Sequence, residues 1–376
     1  MLMGFIINQL NLIIMKKFSI SWVLLFLIVF LSGCNTDKLE TETPVEYDYS
    51  AKSTPAFLKA PAVQFDGLLF DLAAAPNDLF IADASKGIIS LYGTTEVSLE
   101  GAVSVAPVGM SSMWAVTWPL GDSEMDTGQG LHQIKNKKTK KLANLFEFEA
   151  NNNPDGQDIN SNPYSVSAFN ANFAIVADAG ANDLLKIDNK GNIEVVAVFP
   201  LEMVSTENVK NLLGCPNPAP PCGAPAMIPA QPVPTSVVMG PDGYYYVGEL
   251  KGFPAPLDES NIWKIAPDAS GAICGSSPDC VKAFDGGFTS IIDLAFSEDG
   301  RLFVAEFDAL SWFAVEVVGT VTGGNIKACN TETMECETIA TGIPLLTAIS
   351  FDKDGNLWAI KNGLIPGQAE VFKVDY

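Results

Sequence analysis

Residues 162–200 read NPYSVSAFNANFAIVADAGANDLLKIDNKGNIEVVAVFP, and the rest of the chain is built on this unit. It holds four short apolar runs, at 165–169, 173–177, 184–187 and 193–199, each rich in Val, Ile, Leu or Phe and bounded by Asn, Asp or Gly. Runs of that length between turn formers read as strands joined by tight connections. Gly180 and Gly191 are expected to supply positive backbone φ at two of the bends. Four antiparallel strands in about forty residues make one β-propeller blade, which cannot bury both faces of its sheet alone.

The neighbours are legible. The same phrase, an apolar run, a turn, then an aromatic-led run ending in an acid, returns as LLFDLAAAPNDLFIADASKG from Leu68 and SVVMGPDGYYYVGELKG from Ser236. It returns again as IIDLAFSEDGRLFVAEFD from Ile291 and LTAISFDKDGNLWAIKNG from Leu346, with a blurred copy, VSVAPVGMSSMWAVTWP, from Val103. Asp242-Gly243, Asp299-Gly300 and Asp354-Gly355 occupy one place in the repeat, the turn between the first two strands. A β-sandwich with Asp-Gly hairpins is the rival, but order and period favour an all-β, six-bladed propeller of four-stranded antiparallel blades. The last copy runs out after three strands, so an N-terminal strand near residues 55–62 is expected to complete that blade and leave no open edge.

Lys plus Arg total 22 against 44 Asp plus Glu, a net charge of −22, which excludes nucleic acid as a partner and favours cations or cationic partners. The chain has a single Arg, Arg301, and a single His, His132, which argues against channel-histidine lyases, quinone-dependent dehydrogenases and a Ser-His-Asp triad. No phosphate-cradling Gly loop is present.

Residues 1–33 read as a targeting segment. Lys16-Lys17 precede an apolar run at 20–31 too short for a comfortable span, and Leu31-Ser32-Gly33-Cys34 closes it. That box resembles the lipobox of bacterial lipoproteins, in which the Cys is acylated and becomes the first mature residue; a plain secretory signal is the alternative. The reading implies a membrane anchor on Cys34 and an extracytoplasmic place in the bacterial cell envelope. Residues 34–54 are acidic and without period, a flexible tether, and 55–376 form the propeller.

Blade 2 is the least regular copy, with Trp114 to Trp118 as its expected inner strand and five lysines at 135–141 in a hairpin. Residues 147–161 form a loop of oxygen donors, in which Asp155, Asp158 and Asn160 are a possible Ca²⁺ set. The Pro-rich insertion at 214–233 is neither helix nor central strand and should ride over one face of the ring. After Cys34 the six cysteines fall into local pairs, Cys215 with Cys222, Cys274 with Cys280 and Cys329 with Cys336; an exported chain makes these disulfides rather than zinc ligands. The apolar stretch 309–318, with Trp312 and Phe313, is either a partner-binding lip or a hairpin packed on the ring.

With the blades in place, residues 64–376 resemble the ScyD/ScyE family of exported propeller-like proteins. The match is carried by NPY at Asn162, VADAGANDLLKID from Val176, VPTSVVMGPDGYYYVGELKGFP from Val233 and FTSIIDLAFSEDGRLFVAE from Phe288. The resemblance implies architecture, with no settled activity.

Propellers place ligands where the innermost strands begin. Those positions give Asp71, Asn162, Thr235, Asp293 and Thr347 as channel candidates. Two functions are open: a lipid-anchored module that binds an unknown protein or small molecule, or, as the likeness of Asn162 to the Asn that opens an inner strand in six-bladed Ca²⁺-dependent lactonases and esterases implies, such a hydrolase holding its cation with Asn162.

Overall fold

The computed structural model describes residues 62–75, 78–91, 96–109, 112–119 and 128–376. The expected targeting segment, Cys34 and the expected tether lie outside the described residues. Strands of three to nine residues arrange into six antiparallel four-stranded blades, each wound from the inside out in chain order. Blade 1 is Leu69–Ala75, Asp78–Asp83, Gly87–Ser90 and Glu96–Ser98; blade 2 is Ala102–Val108, Ser112–Thr117, Gly130–Lys135 and Lys138–Asn144. Blade 3 is Pro163–Ala168, Phe173–Asp178, Asp183–Asp188 and Ile193–Val198; blade 4 is Pro234–Met239, Tyr245–Glu249, Ser260–Ile265 and Cys280–Phe288. Blade 5 is Ile291–Phe296, Leu302–Glu306, Gly324–Cys329 and Cys336–Ile343. Blade 6 takes Ala348–Phe351, Leu357–Lys361 and Ala369–Val374 from the C-terminus and Ala62–Phe65 from the other end of the ring.

That last strand is the closure. Its register runs from Ala62 opposite Phe372 to Phe65 opposite Ala369, so it lies a few residues later than the expected 55–62. The apolar residues of the stretch are Ala62, Val63 and Phe65, and the pairing uses them.

Each sheet is apolar on both faces because each blade is sandwiched. Ile175, Leu184 and Val196 of blade 3 pack against Val237, Tyr245, Val247 and Trp263 of blade 4. The same interleaving joins blades 4 and 5, 6 and 1, and 1 and 2. Gly243, Gly300 and Gly355 take φ of +81°, +85° and +77° in the first turns of their blades, as the Asp-Gly spacing requires. Gly180 serves otherwise: its φ is not positive, and a Cβ there would stand 2.7 Å from the Asn162 nitrogen. The strand passes too close for any side chain.

The acid that ends the repeated phrase caps the turn after strand two. Asp83 Oδ1 accepts from the amides of Ser85 and Lys86, and Asp178 Oδ1 from those of Gly180, Ala181 and Asn162.

Several expectations change. Trp114 lies on the second strand of blade 2, because the aromatic-led run is the second in every copy. The expected donor loop at 147–161 begins inside a helix, α1, Leu145–Asn152; Asn144 caps it by accepting the Glu147 amide, and Asn153 ends it at φ +40°. The Pro-rich insertion contains a 3₁₀ turn, Pro220–Gly223, and a strand, Met227–Ala230, paired with Glu202–Ser205. A short helix, α2 (Glu207–Leu212), precedes it. Trp312 and Phe313 are buried, so the lip reading fails for them: Trp312 Nε1 donates to the Lys251 carbonyl at 2.9 Å, and Phe313 packs against Phe253.

All three local disulfides form. Two of them staple outer hairpins, and residues 272–273 ahead of Cys274 add a short parallel strand to blade 3. Disulfides of this kind belong to an oxidising compartment. Among the described residues no helix is long and apolar enough to cross a membrane.

Candidate functional site

The inner strands share one irregularity. In blades 1 to 5 the pairing with the second strand skips a residue near the start, a β-bulge, at Phe70, Val103, Tyr164, Thr235 and Ile292. Thr347 occupies the same place in blade 6. The residue after the bulge is then Asp71, Ser104, Ser165, Ser236, Asp293 or Ala348. A bulge re-aims the side chains around it. Here it brings Asp71, Ser104, Ser165 and Asp293 within hydrogen-bond reach of the next blade.

A circular chain of hydrogen bonds results. The Val105 amide donates to Asp71 Oδ2 at 2.9 Å, Val166 to Ser104 Oγ at 3.0 Å, Val237 to Ser165 Oγ at 3.2 Å and Ile349 to Asp293 Oδ2 at 2.8 Å. Two links cannot run this way. Ala348 has no acceptor for the Leu72 amide of blade 1, and Ser236 Oγ has no hydrogen-bond partner. At those two junctions the receiving strand carries the aspartate, whose second oxygen takes its own strand's amide: Leu72 to Asp71 Oδ1 at 2.7 Å and Leu294 to Asp293 Oδ1 at 2.8 Å. A carboxylate offers two separate oxygens, one for each amide, where a serine has a single oxygen. Ser104 adds a third bond to Asp71, from its hydroxyl, at 2.6 Å.

The bulge residues lie one register away. Thr235 Oγ1 donates to the Ile291 carbonyl of blade 5 at 2.7 Å, and Thr347 Oγ1 to the Leu69 carbonyl of blade 1 at 2.9 Å. These two hydroxyls therefore join the blades at the same junctions that lack a side-chain acceptor. Phe70 meets Tyr164 edge-on at 6.3 Å. Asn162 precedes the blade 3 strand and is held by its backbone, its amide on Asp178 and its carbonyl accepting from Ala179.

Blades 1, 3 and 5 are not neighbours, so their groups feel one another across the channel. Burial pushes the Asp71 carboxyl up, against the bonds from Ser104, Val105 and Leu72; burial and then the Asp71 charge raise Asp293 well above the usual carboxylate range. Burial also raises the Tyr164 phenol, helped by the charges of Glu316, Asp293 and Asp71. The Tyr164 hydroxyl has no hydrogen-bond partner.

Glu316 comes from the apolar stretch 309–318 of blade 5, on a π-helical turn, Ala314–Val318. Asp308 fixes both ends of the insertion, accepting from Leu310 on one side and from Thr322 and Gly323 on the other. Glu316 is 8% exposed, neither of its oxygens is bonded, and burial pushes it up to about 8.

Beside the channel, blade 4 buries an ion pair. Lys251, fully buried, reaches Glu249 at 2.6 Å and Glu202 at 2.7 Å, and Asn261 bonds both acids. Glu202 sits on the ribbon of the Pro-rich insertion. Burial opposes its ionisation, yet Lys251 and Lys282 together hold it below the usual range.

The sequence candidates therefore separate. The fold brings Asp71 and Asp293 to one ring and places Thr235 and Thr347 in the next register, with Asn162 a step ahead of its strand. Asp155 and Asn160 turn inward beside α1, whereas Asp158 is exposed and acts on Asp155 through its charge. His132, pushed down to about 4 by burial and Lys141, pairs with Thr117 at 3.1 Å. Ser104, Ser165, Tyr164 and Glu316 were not anticipated. The first three were available as the triplets FDL, VSV, YSV, TSV, IDL and TAI once all six inner strands are aligned. Nothing in 309–318 announces that Glu316 turns inward.

No family model matches this chain, and no curated protein matches it either. Solved structures of similar shape include virginiamycin B lyase from Staphylococcus aureus, 13% identical with a TM-score of 0.47, over 85% of this chain and 89% of that one. A protein of unknown function from Bacteroides thetaiotaomicron is 11% identical with a TM-score of 0.47, over 83% and 70%. The extracellular domain of a hybrid two-component system from the same organism is 12% identical with a TM-score of 0.44, over 82% of this chain and 33% of that one.

Proposed function

We propose that the protein is an extracytoplasmic binding module, tethered to the bacterial envelope by lipid on Cys34, whose channel mouth takes a ligand bearing an amine or other cationic donor. The resemblance to the exported ScyD/ScyE proteins and the three disulfides support the compartment. One observation carries the binding reading: Glu316 keeps two buried, unbonded oxygens, and its charge acts on Tyr164, whose hydroxyl is also unbonded. A buried acceptor without a donor costs roughly 1–3 kcal/mol, which a cationic donor would return on binding. The surplus of acids over bases attracts such a ligand from a distance.

The hydrolase alternative finds less support. Its Ca²⁺ would need free carboxylates on the inner strands, and those of Asp71 and Asp293 accept backbone amides.

The test is a thermal-shift screen of the full-length protein with polyamines, choline and basic peptides. Stabilisation of the wild type that is lost in Glu316→Gln is the expected result. Calcium-dependent turnover of a lactone or ester, abolished by Asn162→Ala, contradicts it. Fractionation after Cys34→Ala tests the anchor separately: the variant should leave the membrane, and retention there removes the lipid.

A further inference from the structure

Blade 3 carries a second group of acids, independent of the channel. Glu149 on α1, Asp155 in the loop after it, and Asp178 and Asp183 at the facing ends of two strands act on one another electrostatically. Asp178 is fully used, accepting from three amides and, at 2.6 Å, from Ser161 Oγ. Asp155 accepts from Asn182 Nδ2 and the Gln157 amide.

The others are not satisfied. Glu149 is 1% exposed and no side chain bonds it, the Asn160 backbone amide being the one donor beside it; Asp183 is 1% exposed and its Oδ1 has no partner. The side-chain oxygens of Asn153 and Asn160 are likewise buried and unbonded. None of the groups acting on Glu149 or Asp183 is a cation. Two buried carboxylates and two buried amide oxygens, with no cation beside them and only the Asn160 backbone amide acting on Glu149, are an environment for a positive charge.

We propose that this cluster binds a divalent metal ion of the Ca²⁺ class, held by Glu149 and Asp183 with the side-chain oxygens of Asn160 and Asn153. The donors are all oxygen, which suits a hard cation rather than zinc. Among the described residues no three carboxylate, imidazole or thiol groups are already arranged around one point. The ion therefore takes two carboxylates and completes its shell with amide oxygens and water. Ca²⁺ accepts such a mixed, irregular shell, whereas Mg²⁺ demands a near-ideal octahedron. Binding would pin the segment from α1 to Asn162 against blade 3, and with it the approach to Tyr164.

The test uses the full-length protein, stripped with EDTA and dialysed, with CaCl₂ as the probe. Calcium should raise the Tm of the wild type saturably, by roughly 5 °C at a hundredfold excess over its dissociation constant. Titration calorimetry at 25 °C should give one site per chain. The Glu149→Gln, Asp183→Asn double variant should lose both signals while melting higher than the metal-free wild type, because two crowded charges are gone. Asp158→Asn, in the same loop but exposed, should keep both. An indifferent wild type, or a calcium response that survives the double variant, overturns the proposal. A double variant that fails to fold leaves the wild-type calorimetry to decide it: no calcium heat means no site.

Discussion

Asp293 accepts the Leu294 amide with one oxygen and the Ile349 amide of the next blade with the other. Asp293→Ala leaves two buried donors unpaired, and urea denaturation should show a loss of roughly 2–4 kcal/mol. Asp293→Asn keeps one acceptor and should cost less. Glu316 behaves differently, because nothing bonds its carboxylate. Its folded value near 8 lies above the ordinary 4.5, so the group binds its proton more tightly when the protein is folded. That contribution to stability is complete below pH about 4.5 and is lost as pH rises through about 8. Relative to wild type, Glu316→Gln should therefore gain stability steadily between pH 5 and 8.5, a trend read from Tm against pH. If the Gln variant instead tracks the wild type across that range, Glu316 is not a buried, unpaired acid. By the same linkage, a cationic ligand must displace that proton, and its affinity should rise over this interval.

At the scale of the element, most of the strands could be read from the chain and their irregularities could not. The alternation of apolar residues in 162–200 gives four strands to within about two residues, because both faces of a blade are buried and each turn is marked by Asp, Asn or Gly. The β-bulge leaves no such mark. It moves Asp71 and Thr235 into different registers although both stand near the start of an inner strand. The helix α1 was legible in principle, since Asn144 and Glu147 are an N-cap and its partner three residues on, but the run of Asn and Asp that follows reads as loop. The Lys251 network shows another limit. GELKG looks like one more acid-ended phrase, and only the fold brings Glu202 from the ribbon to the same ammonium. Lys251→Met should destabilise by roughly 3–5 kcal/mol because Glu249 is left charged and buried, and adding Glu249→Gln should restore much of that loss. A double-mutant cycle by urea denaturation measures it; additive losses would mean the pair is not coupled.

Across the whole molecule, stability rests on closure. Each blade offers two apolar faces, and every face is covered only if the ring has no gap. The inner chain of hydrogen bonds follows the same rule, with the carboxylates placed at the two junctions where the preceding blade's side chain accepts no bond. Six copies were countable in the sequence because the aromatic-led phrase recurs, even blurred, in blade 2. The closing strand was harder to place, as a short isolated run has no partner within the repeat. The direct measurement is a disulfide across that seam. Gln64 stands opposite Glu370 in the register, so Gln64→Cys with Glu370→Cys should cross-link spontaneously, map by mass spectrometry to that pair and raise the Tm. A protein that folds with both thiols free, or cross-links only with a mate shifted to another strand, would contradict a ring closed by its own N-terminal strand.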